Sequence, residues 1–146
     1  MTDTRVLVTG GCGYIGSALV PELLDDPGVG RVVVFDSLVS GSPANLAGHL
    51  GDSLEFRRGD VREYGDVESA VRGVDAIIHL AAITGAASTH DREAETFAVN
   101  RDGTENVLTA AGKFDVDNVV LASSCNNYGR ATSTDIDEET EQNPIN

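Results

Sequence analysis

Thr9-Gly10-Gly11-Cys12-Gly13-Tyr14-Ile15-Gly16 is the stretch that decides how this chain folds. It follows Arg5-Val6-Leu7-Val8, which reads as a short buried strand, and it opens into Tyr14 to Asp26, which reads as a helix. Gly10, Gly13 and Gly16 therefore fall at a strand-to-helix turn. One such glycine turns the chain, one lets the backbone approach a pyrophosphate, and one lets the helix pack closely on the strand. The helix N-terminus, at Tyr14 and Ile15, adds free N–H donors and roughly half a positive charge. Asp36, 20 residues past Gly16, closes a second strand, Arg31-Val32-Val33-Val34-Phe35, with Ser37 next to it. That is the place of a ribose-binding carboxylate. Spaced glycines also make ordinary tight turns. With this strand, helix and acid around them, they point to a nicotinamide dinucleotide site.

Working outward, strands and helices alternate, which predicts a parallel sheet covered on both faces. Ser37 to Asp52 reads as a loop rich in Gly, Ser and Pro. Leu54 to Gly59 reads as a third strand, and Asp66 to Arg72 as a short helix. Ala76-Ile77-Ile78-His79-Leu80 is apolar on both faces and reads as a central fourth strand. One long helix is expected from Asp91 to Lys113, with Phe97, Thr104, Val107, Leu108 and Ala111 at helical spacing. Asn118 to Ala122 makes a fifth strand. Pro21 is a misfit inside the first helix, where it removes a hydrogen bond at about 3 kcal/mol; a kink or a late helix start is expected. The chain is expected to divide into a dinucleotide-binding domain, 1–131, and an acidic segment, 132–146, with no substrate-binding domain expected within these residues.

The 146 residues suffice for one core. No stretch approaches the ~20 apolar residues that span a bilayer, and no leader precedes the first strand, so a cytoplasmic protein is expected. Cys12 and Cys125 match no metal spacing and read as reduced thiols rather than a disulfide. With 24 acidic and 10 basic residues the net charge is −14, which excludes nucleic acid or anionic membranes as partners through bulk electrostatics. The same field opposes an anionic coenzyme unless salt screens it; near 1 M the Debye length is about 3 Å. The acidic surface, with Lys113 as the single lysine, is similar to those of halophilic proteins, and equally compatible with an ordinary acidic one.

The chain resembles the extended short-chain dehydrogenase/reductases, and among them the NAD-dependent sugar-nucleotide epimerases and dehydratases. The resemblance rests on TGGCGYIG at 9–16, FDSLVSG at 35–41, GDVR at 59–62, HLAA at 79–82, NRDGTENVL at 100–108 and SSCNNYG at 123–129. It covers nearly the whole chain, in the family's order and spacing. It implies a Rossmann-like, doubly wound parallel α/β sheet of about five strands in the order 3-2-1-4-5, truncated before the family's last strands. The fifth strand would then be an edge whose Val119, Val120 and Leu121 favour self-association.

The resemblance also implies roles. Asp36 would accept hydrogen bonds from the adenosine ribose and repel a 2′-phosphate, favouring NAD over NADP. Asp60 and the Val61 backbone would meet the adenine amino edge, although such an Asp also caps helices. Ala81 and Ala82 would leave space for pyrophosphate and nicotinamide ribose, or simply pack a strand on a helix. Asn100 would lie near the coenzyme, or else bond neighbouring backbone. Ser124 would donate to the sugar oxygen that becomes a carbonyl, on which charge develops, while Ser123 is structural. Tyr128 and Gly129 would form the turn after the strand. His79, in an apolar strand, reads as a satisfied core histidine rather than a base.

The family's acid/base is a tyrosine with a lysine four residues on, whose charge lowers the phenol pKa. The tyrosines here are Tyr14, Tyr64 and Tyr128, and Thr109 stands four residues before Lys113. Complete catalysis is therefore not expected from these residues. Three readings stay open: the coenzyme-binding part of a nucleotide-sugar epimerase or dehydratase, a non-catalytic NAD-binding or interaction module, and one half of a two-chain enzyme.

Overall fold

The computed structural model describes residues 4–49, 51–85, 91–130 and 135–144. Five parallel strands form one sheet: β1 (Thr4–Thr9), β2 (Val29–Asp36), β3 (Leu54–Arg58), β4 (Ala76–His79) and β5 (Asn118–Leu121). Their order is β3-β2-β1-β4-β5, as the resemblance implies. The strand order reverses between β1 and β4, and in open α/β sheets ligands bind at the carboxyl edge beside that reversal. Register places Thr9 beside both Phe35 and His79 at this edge.

Alternation along the strands divides the core into two layers. Leu7, Val33 and Ile77 point to one face and pack against Val67, Ala70 and Val71 of α2 (Tyr64–Val71). Val107, Ala110 and Ala111 from the carboxyl half of the long helix complete that layer. Val6, Val8, Val32 and Val34 point to the other face, toward Val20 of α1 (Tyr14–Asp25) and Leu46 of a 3-10 turn, Pro43–His49. The run Val32-Val33-Val34 is buried on both sides because the sheet is covered on both sides. α1 begins at Tyr14 and continues through Pro21 to Asp25, so it does not start late to avoid the proline. The N–H that Pro21 lacks would have served the Ser17 carbonyl.

The long helix differs from its sequence pattern. It consists of α3 (Glu93–Phe97), a π-helical turn at Ala98–Asp102, and α4 (Gly103–Lys113). The wide turn carries Asn100, whose side chain is bonded to another segment. Such turns concentrate at functional sites. Phe97 and Leu108 are exposed rather than part of an inward stripe. A 3-10 turn, Cys125–Tyr128, follows β5, and Gly129 ends it at φ +53°. Residues 135–144 are exposed apart from Thr140. The domain boundary expected at 131/132 lies outside the described residues.

At the opposite end of the sheet, Glu55 gathers Arg5, Arg57 and Arg31 at 2.7, 2.6 and 3.6 Å. Hydrogen bonding from Arg57, with the charges of all three guanidiniums, lowers the Glu55 carboxyl below its ordinary 4.5. The unfolded chain binds that proton more readily, so the network's stabilisation is present above pH 4.5 and fades as pH falls through the lower folded value. Glu55→Gln is expected to cost on the order of 1 kcal/mol at neutral pH and progressively less below pH 4.5. Denaturant unfolding across pH 3–8 checks this, and equal stabilities at neutral pH would contradict it.

Candidate dinucleotide cleft

The carboxyl edge opens into a cleft of about 740 Å³. It is bordered by every residue given a coenzyme or substrate role from the sequence: Gly10, Gly13, Tyr14, Ile15, Gly16, Asp36, Ser37, Asp60, Val61, Ala81, Ala82, Asn100 and Ser124.

The glycine-rich stretch of residues 10–16, which runs from the end of β1 into α1 and is the candidate phosphate loop, is shaped by its own close contacts. Gly10 sits at φ +69°, and a Cβ there would lie 2.8 Å from the Ala81 nitrogen. A Cβ on Gly16 would lie 2.5 Å from the Gly11 Cα. Gly13 is the N-cap of α1, and no side chain caps this helix. Its first-turn amides therefore face the cleft without a capping acceptor, next to the positive end of the helix dipole and with no acidic residue in the first turn. That arrangement suits a pyrophosphate.

Asp36 is 8% exposed, and both its oxygens are engaged. Oδ2 accepts from the Cys12 amide at 3.0 Å, and Oδ1 from the Leu38 amide at 2.8 Å. Each oxygen retains a further acceptor direction. The Cys12 carbonyl accepts from the Ser42 amide at 3.2 Å and from Asn45 Nδ2 at 3.1 Å. One peptide segment thus joins the phosphate loop to β2 and to the loop after it. Burial, and then the Asp36 charge, push the Cys12 thiol up to about 11, so it stays protonated and packs as an apolar group.

Asp60 is held by Arg62, which donates from its amide at 2.9 Å and from its guanidinium at 2.6 to 3.0 Å. That bonding holds the Asp60 carboxyl below its ordinary value. Asp60 does not cap α2, whose N-cap is Glu63. Arg62 also lies 3.9 Å from Glu95 across the cleft. The Val61 side chain is buried under Gly103, and its carbonyl accepts from Asn106 Nδ2 at 2.9 Å.

Asn100 bonds backbone, 17 residues away in sequence rather than neighbouring. Its Oδ1 accepts from the Ile83 amide at 2.8 Å, and its Nδ2 donates to the Ile83 carbonyl at 2.9 Å. Ala82 is exposed, whereas Ala81 is partly buried against the core. His79 is 3% exposed, with Thr9 Oγ1 at 2.6 Å and Thr104 Oγ1 at 3.1 Å. Burial drops its pKa to about 4, so it is a neutral, satisfied core histidine. Ser124 is exposed at the mouth and caps the 3-10 turn by accepting from the Asn126 amide at 3.2 Å. Its hydroxyl hydrogen remains to donate. Ser123 Oγ lies 3.1 Å from Asn127 Nδ2. No group of His, Cys, Asp and Glu that could hold a metal occurs among the described residues.

Sequence reasoning missed Thr9, Asn45, Arg62, Thr104 and Asn106, all of which act on cleft segments from adjoining elements. Thr9 and Thr104 carried a faint signal, as hydroxyls in otherwise apolar core positions.

The sequence profile of the NAD dependent epimerase/dehydratase family matches residues 6–146. The chain is 36% identical over 144 residues to a UDP-glucose 4-epimerase of Streptococcus mutans, covering 97% of this chain and 42% of that protein. A 3 beta-hydroxysteroid dehydrogenase/Delta 5-->4-isomerase of Mycobacterium tuberculosis is 40% identical over 124 residues, covering 82% and 31%. A dTDP-glucose 4,6-dehydratase of Streptomyces venezuelae, solved with NAD bound, superposes with a TM-score of 0.90 at 36% identity, covering 97% of this chain and 46% of that one. The chain spans less than half the length of these relatives.

The phosphate loop makes its own demand on the sequence. Gly10→Ala is expected to destabilise the fold by about 1–3 kcal/mol, from backbone strain and the clash with Ala81. Chemical denaturation reads this directly, and an unchanged midpoint would show that the loop tolerates a side chain there. By fold and by sequence, this chain belongs to the NAD dependent epimerase/dehydratase family.

Proposed function

We propose that the chain is the NAD-binding portion of an epimerase or dehydratase acting on nucleotide sugars, of the UDP-glucose 4-epimerase kind. The observation that carries this reading is the convergence of Asp36, the uncapped N-terminus of α1 and the glycine loop on one cleft. The first-turn amides of α1 would take the pyrophosphate, and Asp36 the adenosine ribose hydroxyls. Asp60, held by Arg62, would present an acceptor to the adenine amino group. Ala81 and Ala82 would give room for the nicotinamide ribose, and Ser124 would donate a hydrogen bond to the reacting sugar oxygen. When bound, the coenzyme would supply hydride acceptance and return.

One observation favours a second reading, a coenzyme-binding module that does not itself react. The single lysine, Lys113, is paired with Glu68 on α2 and does not border the cleft. Within these residues no lysine stands beside a cleft tyrosine to lower its pKa. In either reading the bound coenzyme is the same.

Calorimetric titration of NAD into the 146-residue chain in molar potassium chloride tests the shared claim. Saturable binding that disappears in Asp36→Ala is expected. NADP should bind on the order of tenfold or more weakly, because its 2′-phosphate meets the Asp36 charge. At 100-fold excess over its dissociation constant, NAD should add about 2.7 kcal/mol of stability. A folded chain that takes up no NAD would refute the reading.

The β5 edge generates a separate expectation. Val120 and Leu121 are 58% and 47% exposed on an edge strand, and unpaired apolar edges recruit further strands. The chain is expected to self-associate once salt screens its charge. Sedimentation velocity at molar salt checks this, and a monodisperse monomer there would contradict it.

A further inference from the structure

His79 and its neighbours form a hydrogen-bond chain whose direction can be worked out group by group. The Ala81 amide, 3.2 Å from Thr9 Oγ1, can only donate. At the other end the Asn100 carbonyl can only accept, and Thr104 Oγ1 donates to it at 2.7 Å. Thr104 has one hydroxyl hydrogen, so toward His79 Nε2, at 3.1 Å, it presents a lone pair. The imidazole must therefore carry its hydrogen on Nε2. A neutral ring has one such hydrogen, which leaves Nδ1 bare. Thr9 Oγ1, 2.6 Å away, then donates to Nδ1 while accepting from Ala81. Every group is satisfied, and all the arrows point one way.

The chain of bonds connects three segments that border the cleft. Thr9 is the last residue of β1 and leads into the phosphate loop. Ala81 lies just past β4, against Gly10, where no Cβ would fit. Asn100 occupies the π-helical turn and grips the Ile83 backbone with its side chain. Burial holds the ring neutral, and a second proton on Nδ1 would confront the Thr9 hydroxyl.

We propose that His79 is a positioning residue of the cleft: as the Nε2–H tautomer it relays hydrogen bonds from the Ala81 amide to the Asn100 carbonyl, and so sets residues 81–83 against the phosphate loop. The proposal rests on the coenzyme reading for its consequence, and on the structure alone for its geometry. It assigns His79 no proton transfer to substrate.

The test uses the full chain labelled with ¹⁵N. Long-range proton–nitrogen correlation spectra should show a pyrrole-type Nε2 and a pyridine-type Nδ1 on His79. An Nδ1–H tautomer, or an averaged pair of signals, would overturn the relay without any variant. Thr104→Val keeps the shape and removes the hydroxyl, whereas Thr104→Ser keeps the hydroxyl. The valine variant should disturb the His79 ring signals, shift the Ala81 and Ile83 amides, and weaken NAD binding roughly fivefold. The serine variant should restore all three. Unchanged ring and amide signals in the valine variant would refute the proposal. If the wild-type chain binds no NAD, the coenzyme reading fails, while the spectra still decide the relay.

Discussion

The bond between the Cys12 amide and the Asp36 carboxylate is the constraint on which the cleft depends. It fastens the apex of the phosphate loop to the end of β2, and it does so with a charged acceptor that is almost wholly buried. A buried carboxylate is costly unless hydrogen-bonded, so Asp36 needs the Cys12 and Leu38 amides as much as they need it. Leu38 adopts φ +63° to present its amide, an uncommon conformation for a residue with a side chain. The loop that follows is tied back through the Cys12 carbonyl. The glycine loop, the end of β2 and the loop after it are therefore parts of one braced unit.

The same economy governs the other wall. Gly10 and Ala81 approach as closely as backbone allows because one has no side chain and the other a small one. Parallel pairing of β1 with β4 places Thr9 opposite His79, so a hydroxyl and an imidazole meet at the carboxyl edge. The π-helical turn answers a demand from across the cleft, since it carries the side chain that holds both polar groups of Ile83.

Electrostatics works against the site at long range and for it at short range. A net charge of −14 repels an anionic ligand, with a reach set by ionic strength. Within the cleft, unpaired amides and the α1 dipole act at contact distance, where screening matters less. Arg62 is largely neutralised by Asp60 and Glu95, so it orients acceptors more than it adds positive potential.

The resemblance that the chain's motifs carry implied the strand order and most of the residues that gather at the carboxyl edge, while the sequence by itself determined the strand-turn-helix of residues 5 to 25 and the succession of five strands. Those features are local or periodic. Spaced glycines, an acid at the end of an apolar run and the alternation of strand with helix are written along the chain. Only the tertiary structure decided what each polar group does once gathered. Asn100 at a helical position gave no sign that it would reach Ile83, nor Asn106 that it would hold the Val61 carbonyl, nor Thr9 and Thr104 that they would close on His79. A hydrogen bond between distant segments depends on register and on the width of a helical turn, to within a few tenths of an ångström. Composition and spacing carry no such information.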